Sequence, residues 1–465
     1  MTSAAADVLA AVNHVAACST TSRSMPRRQV LRWMSSLGAV SLAVPALSAC
    51  GFSTTGAAGE GGLTFFLAQF GAVEERERFR DVLRQAYNAR PVSIVTGDST
   101  QLRNQIIAQV RTGRVQIDLI GALHGDFATL GTENLEDISD LARELADRNY
   151  SDDFKKLATL GSGQAYYIPW AQATYVIVAH REALEWLPAG ANVDTLSYEQ
   201  FLDWAVATRR ANGGRPAFGL PGGPFGLLHR FIQGYLYPAF TAGQITTFAS
   251  DQAIHMWQYF RDLWANCVAA STNYDFMQEP LLTGEVKVVW DHVARLVDAP
   301  KQQPGQWRFA PPPAGPHGRA YMPVLLGLGV PRGAPNAAAA RNVIRALSEP
   351  ETQLHLMNQN AFFPTVETEF GDDLAPEIRL EADAVRKTQG AQDALLALPP
   401  VGLGAKEAQV SKVYRDAFTA IVLQNEDIKA TLEKQAAVMQ QLIDEAQAPC
   451  WAPDPIGDDI CQVGR

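Results

Sequence analysis

Leu63-Thr64-Phe65-Phe66-Leu67-Ala68-Gln69-Phe70 is an apolar run of strand length. Val73–Asn88 follows at once, with apolar residues at Phe79, Val82, Leu83 and Tyr87 on one helical face. Pro91–Thr96 is rich in β-branched residues, Gln101–Thr112 has helical spacing again, and Val115–Leu123 reads as a third strand. Strands that alternate with amphipathic helices predict an α/β layer around a parallel sheet.

A second unit of the same kind follows. Tyr166–Ala179 is apolar and extended, with a break expected at Pro169. Helical spacing falls at 198–212, 224–237, 250–270 and 278–284, and Val286–Trp290 is a short strand. Within 250–270 the run Met256-Trp257-Gln258-Tyr259-Phe260, with Trp264, has the spacing of a core face. Ala310–His317 carries several prolines and a glycine and reads as a loop. Val324–Val330 is a strand, and helices are predicted over 336–348 and 350–359. The polar tail 405–447 reads as helix, with Val410, Val413, Ala417 and Ile421 as its packed positions.

Ahead of this lies an export segment. The basic run Pro26-Arg27-Arg28-Gln29-Val30-Leu31-Arg32 leads into an apolar stretch that closes on Leu47-Ser48-Ala49-Cys50. That pattern resembles a lipobox, which implies acylation at Cys50; Arg27-Arg28 resembles a twin-arginine export motif. The basic region starts at Met25, so residues 1–24 are expected to be unrelated to targeting. Arg32, four serines and a proline interrupt 30–49, so anchoring is expected there, not spanning. Residues 51–62 are small and glycine-rich and read as a flexible tether.

The 465 residues carry a formal charge of −10, and the leader holds more bases than acids, so the remainder is more acidic still. An acidic remainder without a basic run is a poor match for nucleic acid or anionic lipid surfaces. Cys450 and Cys461 flank a turn-rich loop that a disulfide could close in an oxidising compartment, whereas Cys267, in a helical pattern, reads as a buried thiol. No histidine or cysteine spacing suits zinc, so neither metal nor cofactor is expected.

Five segments, in order, resemble the family-1 extracellular solute-binding proteins of ABC transporters, the maltose-binding group. They are Leu63–Phe70, Gln116–Ile120, Ala165–Trp170, Thr283–Asp291 and Leu326–Val330. The resemblance spans about 63–446 and implies a two-lobed α/β fold of the type II periplasmic-binding-protein class. It places lobe 1 at 63–169 and 325–366, and lobe 2 at 170–324 and 367–449, with a C-terminal loop at 450–465. It also implies a monomer that closes on its solute by a hinge and hands it to permease subunits in the membrane.

Carried over residue by residue, the resemblance gives a ligand set. Phe66, Gln69 and Phe70 close the first strand, although Phe66 suits strand core equally. His124 and Asp126 follow the third strand, where α/β ligands sit; Asp118, at that strand's start, reads as structural. Trp170 either lines the cleft or packs in the hinge, and Gln172 stands where relatives carry an acid. Phe225 in Gly222-Gly223-Pro224-Phe225 is a stacking aromatic or part of a turn. Tyr274 and Asp275 precede a helix. Trp290, Asp291 and His292 close the set, but the expected Gly-Pro-Trp continuation is replaced by His292-Val293-Ala294, which removes one stacking plate.

The resulting expectation is a lipid-anchored, extracytoplasmic sugar or oligosaccharide binder with no catalytic residue. The alternatives are the same fold binding a polyamine, glycerophosphodiester, metal chelate or peptide, or an exported glycoside hydrolase. The ligand set contains carboxylates and no arginine, which favours a neutral polyhydroxyl compound over a phosphate. No Gly-x-Ser-x-Gly elbow, His-Glu-x-x-His helix or phosphate loop is present.

Overall fold

The computed structural model describes residues 62–70, 73–224, 226–370, 374–457 and 459–464. Cys50 and Phe225 lie outside the described residues, as do the leader and nearly all of the tether. Strand β1 (Leu63–Leu67) pairs in parallel with β2 (Val92–Thr96) on one side and β3 (Leu119–Leu123) on the other. Two more strands extend the sheet to the order β2-β1-β3-β10-β4, where β4 is Ile168–Ala173 and β10, Val324–Gly329, runs antiparallel to both its neighbours. A second sheet is built from β5 (Tyr175–His180), β6 (Phe218–Gly219), β7 (Val288–His292) and β8 (Trp307–Ala310) in the order β6-β7-β5-β8. β9 (Arg319–Tyr321) and β11 (Ala394–Leu396) make a small parallel pair.

Local chemistry sets the helix starts. Asp98 accepts from the Gln101 amide at 2.8 Å while Gln101 Oε1 accepts from the Asp98 amide at 3.2 Å, a reciprocal cap for helix Ser99–Thr112. Gly113 ends that helix at φ 65°, a left-handed conformation that glycine adopts without strain. Ser197 and Gln200 repeat the capping box on Tyr198–Ala211. Asp118 accepts from the amides of Thr64 (2.8 Å) and Asn336 (2.9 Å), so it ties the start of β3 to β1 and to helix Ala337–Leu347. Its expected structural role is what the contacts describe.

The chain passes from the first sheet to the second at Thr174 and returns through β9 into β10. One phenol serves both connections. The Tyr235 hydroxyl accepts from the Tyr175 amide at 2.9 Å, lies 2.7 Å from Thr174 Oγ1, and reaches the Met322 carbonyl at 3.2 Å.

Several boundaries differ from the sequence reading. The strand expected from Val115 begins at Leu119, because the Gln109 side chain accepts from the Gln116 amide and holds 114–117 out of the ladder. Pro169 does not break its strand. The register shifts beside it: Leu326 pairs with Ala171 and Gly327 with Pro169, so Trp170 is an extra residue on the proline's own strand, the kind of irregularity at which a residue without an N–H is tolerated. The helix expected from 224 starts at Leu228, after Leu227 takes φ 59°. The tail is two helices, Glu407–Phe418 and Ile428–Ala446, parted by a π turn and by Asn425 at φ 54°. Helix 250–270 stops at Trp264, and its aromatic face is core: Met256, Trp257 and Phe260 are fully buried. Cys450 and Cys461 are joined by a disulfide and Cys267 is a buried free thiol. Among the described residues no helix is long and apolar enough to cross a membrane.

Candidate functional site

β1 and β3 deliver their carboxyl ends to one place, where ligands of α/β sheets collect. A cavity of about 170 Å³ lies there, walled by both sheets. The first sheet contributes Ala68, Gln69 and Phe70 after β1, Leu123 at the end of β3, and Val324 and Leu326 of β10. From the second come His292 at the end of β7, and Ala294 and Arg295 beyond it. Glu75, Leu227, Phe276 and Phe362 complete the wall. Phe70 and Leu227 carry positive φ values of 61° and 59°, and Ala361, beside Phe362, has 56°. Such strained backbone in non-glycine residues clusters where a structure holds side chains for a ligand.

Polar atoms in this cavity lack protein partners. Both Gln69 side-chain atoms, Oε1 and Nε2, are buried without a hydrogen bond, and so is His292 Nδ1. Burial, with Arg295 nearby, holds the His292 imidazole neutral, well below its usual range. Leaving such groups unpaired costs about 1–3 kcal/mol each, and a bound polar solute would recover that.

Asp291 is fully buried and accepts from the amides of His292 (2.7 Å) and Met277 (2.8 Å). Burial lifts its pKa to about 6 against the opposing pull of Arg295, whose Nη1 is 3.9 Å away. Arg295 also donates to the Asp275 carbonyl at 2.9 Å and lies over the Phe276 ring, 4.4 Å from its centroid. Asp291 therefore organises the 275–277 loop. Of the wall residues only Gln69, Phe70 and His292 belong to the sequence-derived set; the charged and aromatic ones it lacked are Glu75, Phe276, Arg295 and Phe362. Arg295 stands four residues past Asp291, a spacing that was available to read.

The other expected residues are dispersed. Phe66 is fully buried strand core. Trp170 is 1 % exposed and packs behind the cavity on Phe79 (5.5 Å) and Phe70 (6.4 Å). Trp290 has no exposed surface; Phe231 meets its ring edge-on at 4.5 Å and Tyr198, Phe201 and Tyr235 complete the cage. A ring so enclosed offers no face to a solute. His124 is also internal: Tyr167 Oη lies 2.9 Å from Nδ1, and the Pro400 carbonyl accepts from Nε2 at 2.8 Å. Gln172 donates to the Pro364 carbonyl at 2.9 Å and borders a separate cavity of about 370 Å³ next to helix Pro376–Gln389. Tyr274 donates to Glu285 at 2.6 Å, away from the cavity.

Asp126 lines a neighbouring cavity of about 240 Å³ that shares Leu123 and Leu227 with the first. It accepts from the Leu123 amide at 3.0 Å, and burial raises its pKa to about 6. Arg103, Arg230, Arg415 and Glu407 face the same space, with Arg230 and Glu407 in a buried ion pair. Gly125 passes so close to that pair that a side chain there would collide with both. Both cavities are thus lined by arginine, a residue type the sequence-derived set lacked.

A family model described as "Bacterial extracellular solute-binding protein" matches residues 72–354, well over half of the chain. No curated protein matches in sequence. Among solved structures, maltose-bound MalE3 of T. maritima is similar at 18% identity and a TM-score of 0.66, covering 82% of this chain and 99% of its own. The GacH receptor of Streptomyces glaucescens, solved unliganded and with acarbose, matches at 15% identity and 0.66, over 83% of this chain and 99% of that one. UgpB from Mycobacterium tuberculosis, in complex with glycerophosphocholine, gives 18% and 0.65, with the same coverages of 83% and 99%. At these identities the structural likeness establishes a shared two-lobed α/β fold. Together with the sequence match, it shows that the chain belongs to the family of bacterial extracellular solute-binding proteins.

Proposed function

We propose that this solute-binding protein captures a sugar or oligosaccharide outside the cytoplasm and delivers it to the permease of an ABC importer. One observation carries the reading. The cavity between the two sheets sets the unpartnered Gln69 amide and His292 Nδ1 beside the apolar rings of Phe70, Phe276 and Phe362. A carbohydrate has the complementary surface, with hydroxyls that both donate and accept and C–H faces that pack on rings. The proposed contacts are Gln69, Phe70 and His292 from the sequence-derived set, with Asp126 in the adjoining space. Cys50 would carry the lipid that keeps the protein at the membrane, working as a monomer; binding and closure require no catalytic group.

Arg295 in the wall and three arginines in the adjoining cavity favour a second reading, a polyol bearing an anionic group such as a glycerophosphodiester. The two are separated by calorimetric titration of the purified protein with mono-, di- and oligosaccharides alongside glycerophosphocholine and sugar phosphates. Micromolar binding of a neutral saccharide supports the first reading. Binding confined to the anionic compounds, and weakened by salt, replaces it with the second.

A further inference from the structure

The family-like stacking plate is missing at Val293-Ala294, and Trp290 is sealed in core, yet the cavity keeps one aromatic ring open. Of the large hydrophobic side chains exposed among the described residues, Phe276 is the one that lines this cavity, at 50 % exposure. The Arg295 guanidinium covers one ring face, 4.4 Å from the centroid, so the exposure belongs to the other face and edge.

The loop is held on either side of the ring. Arg295 Nη1 donates to the Asp275 carbonyl (2.9 Å), and Asp291 accepts from the Met277 amide (2.8 Å). Asp291 accepts from the His292 amide as well, so a single carboxylate fixes both the ring-bearing loop and the strand end that presents the unpartnered Nδ1. A cation on one face of an aromatic ring restrains it while the opposite face stays free for C–H groups.

We propose that Phe276 is the stacking plate of the solute site, with Asp291 and Arg295 as its positioning residues, and that it selects pyranose rings over open-chain polyols. This rests on the sugar reading above. A pyranose presents a flat set of axial C–H groups to a ring, and an extended polyol presents no such face. Ala294 leaves the volume that the displaced aromatic would need, so the plate reaches the cavity from a different loop.

The test is titration of the wild-type protein and its variants by calorimetry with maltose, trehalose, chitobiose and, as the open-chain control, sorbitol. Phe276→Ala is expected to weaken each pyranoside that binds by about tenfold, to leave sorbitol unchanged, and to unfold at the wild-type temperature. Phe276→Trp should restore the pyranosides. Arg295→Met should weaken binding in the wild-type background and add little once Phe276 is alanine, a non-additivity that a general structural role would not produce. Wild-type protein that binds none of the three sugars refutes the sugar reading itself. Sugar binding that Phe276→Ala changes by less than roughly twofold refutes the plate alone.

Discussion

Glu381 gives the sharpest test of the packing argument. It lies on helix Pro376–Gln389 among Ile378, Ala382 and Val385, the helix's buried stripe, and is itself fully buried. Neither carboxylate oxygen has a hydrogen-bond partner. Burial drives its pKa well above the usual range, and the charges of Glu377 and Asp298 push the same way. A buried polar group left unpaired costs about 1–3 kcal/mol, and apolar replacement of buried ionisable groups is often stabilising. Glu381→Met, which continues the stripe at similar volume, should therefore stabilise the protein by about 1–3 kcal/mol.

The pH dependence has a definite sign. Below about pH 4.3 the side chain is protonated in both folded and unfolded chains, and Glu381 costs least. As pH rises the unfolded chain ionises first while the folded one resists, so stability falls from there up to the raised folded-state value. Denaturant unfolding of wild type and Glu381→Met at pH 5, 6, 7 and 8 measures both effects: the gain should grow with pH, with solute affinity unchanged. A variant less stable than wild type, or a gain independent of pH, would refute the reasoning.

Three further outcomes follow from other parts of the molecule. Gln69→Ala, which removes both unpartnered amide atoms, should weaken solute binding by about tenfold in calorimetry while leaving the solute-free protein at least as stable as wild type in thermal unfolding, because the cost of burying them is lifted. Cys461→Ser opens the Cys450–Cys461 loop and should cost about 3 kcal/mol in denaturant unfolding under non-reducing conditions; equal stability would mean that the loop is held by its other contacts. Cys50→Ala should move the protein from the membrane to the soluble fraction with its solute affinity intact, and loss of binding along with release would contradict a separate anchor and trap.

How far the sequence could be read depends on what decides each position. Alternation of strand and helix across 63–123 follows from local pattern, so the layer was legible; the bulge at Trp170 beside Pro169 depends on pairing with a strand more than 150 residues away and was not. Trp290 illustrates the matching limit at the site. The resemblance of Trp290-Asp291 to the family's Trp-Asp pair implied a ligand contact, but Phe231, Tyr235, Tyr198 and Phe201, brought in from other elements, enclose the ring. His124 and Asp126 open a short helix, His124–Leu130, in place of the loop expected after β3, and long-range partners such as Pro400 consume the histidine's bonding capacity. Phe276 lay two residues beyond Tyr274 and carries no periodic signal, because its value arises from exposure, which only the assembled walls define. Arginine was missed for the same reason: Arg230 and Arg415 come from segments far from any strand end and meet Asp126 only in three dimensions.

The Tyr235 hydroxyl has a consequence for motion. Thr174 and Tyr175 belong to the outgoing connection and Met322 to the returning one, and all three bond to the same oxygen. Neither connection can twist independently without breaking a contact of the other, so both turn about one fulcrum. Coupled twisting of these two connections is thereby favoured over independent twisting of either one.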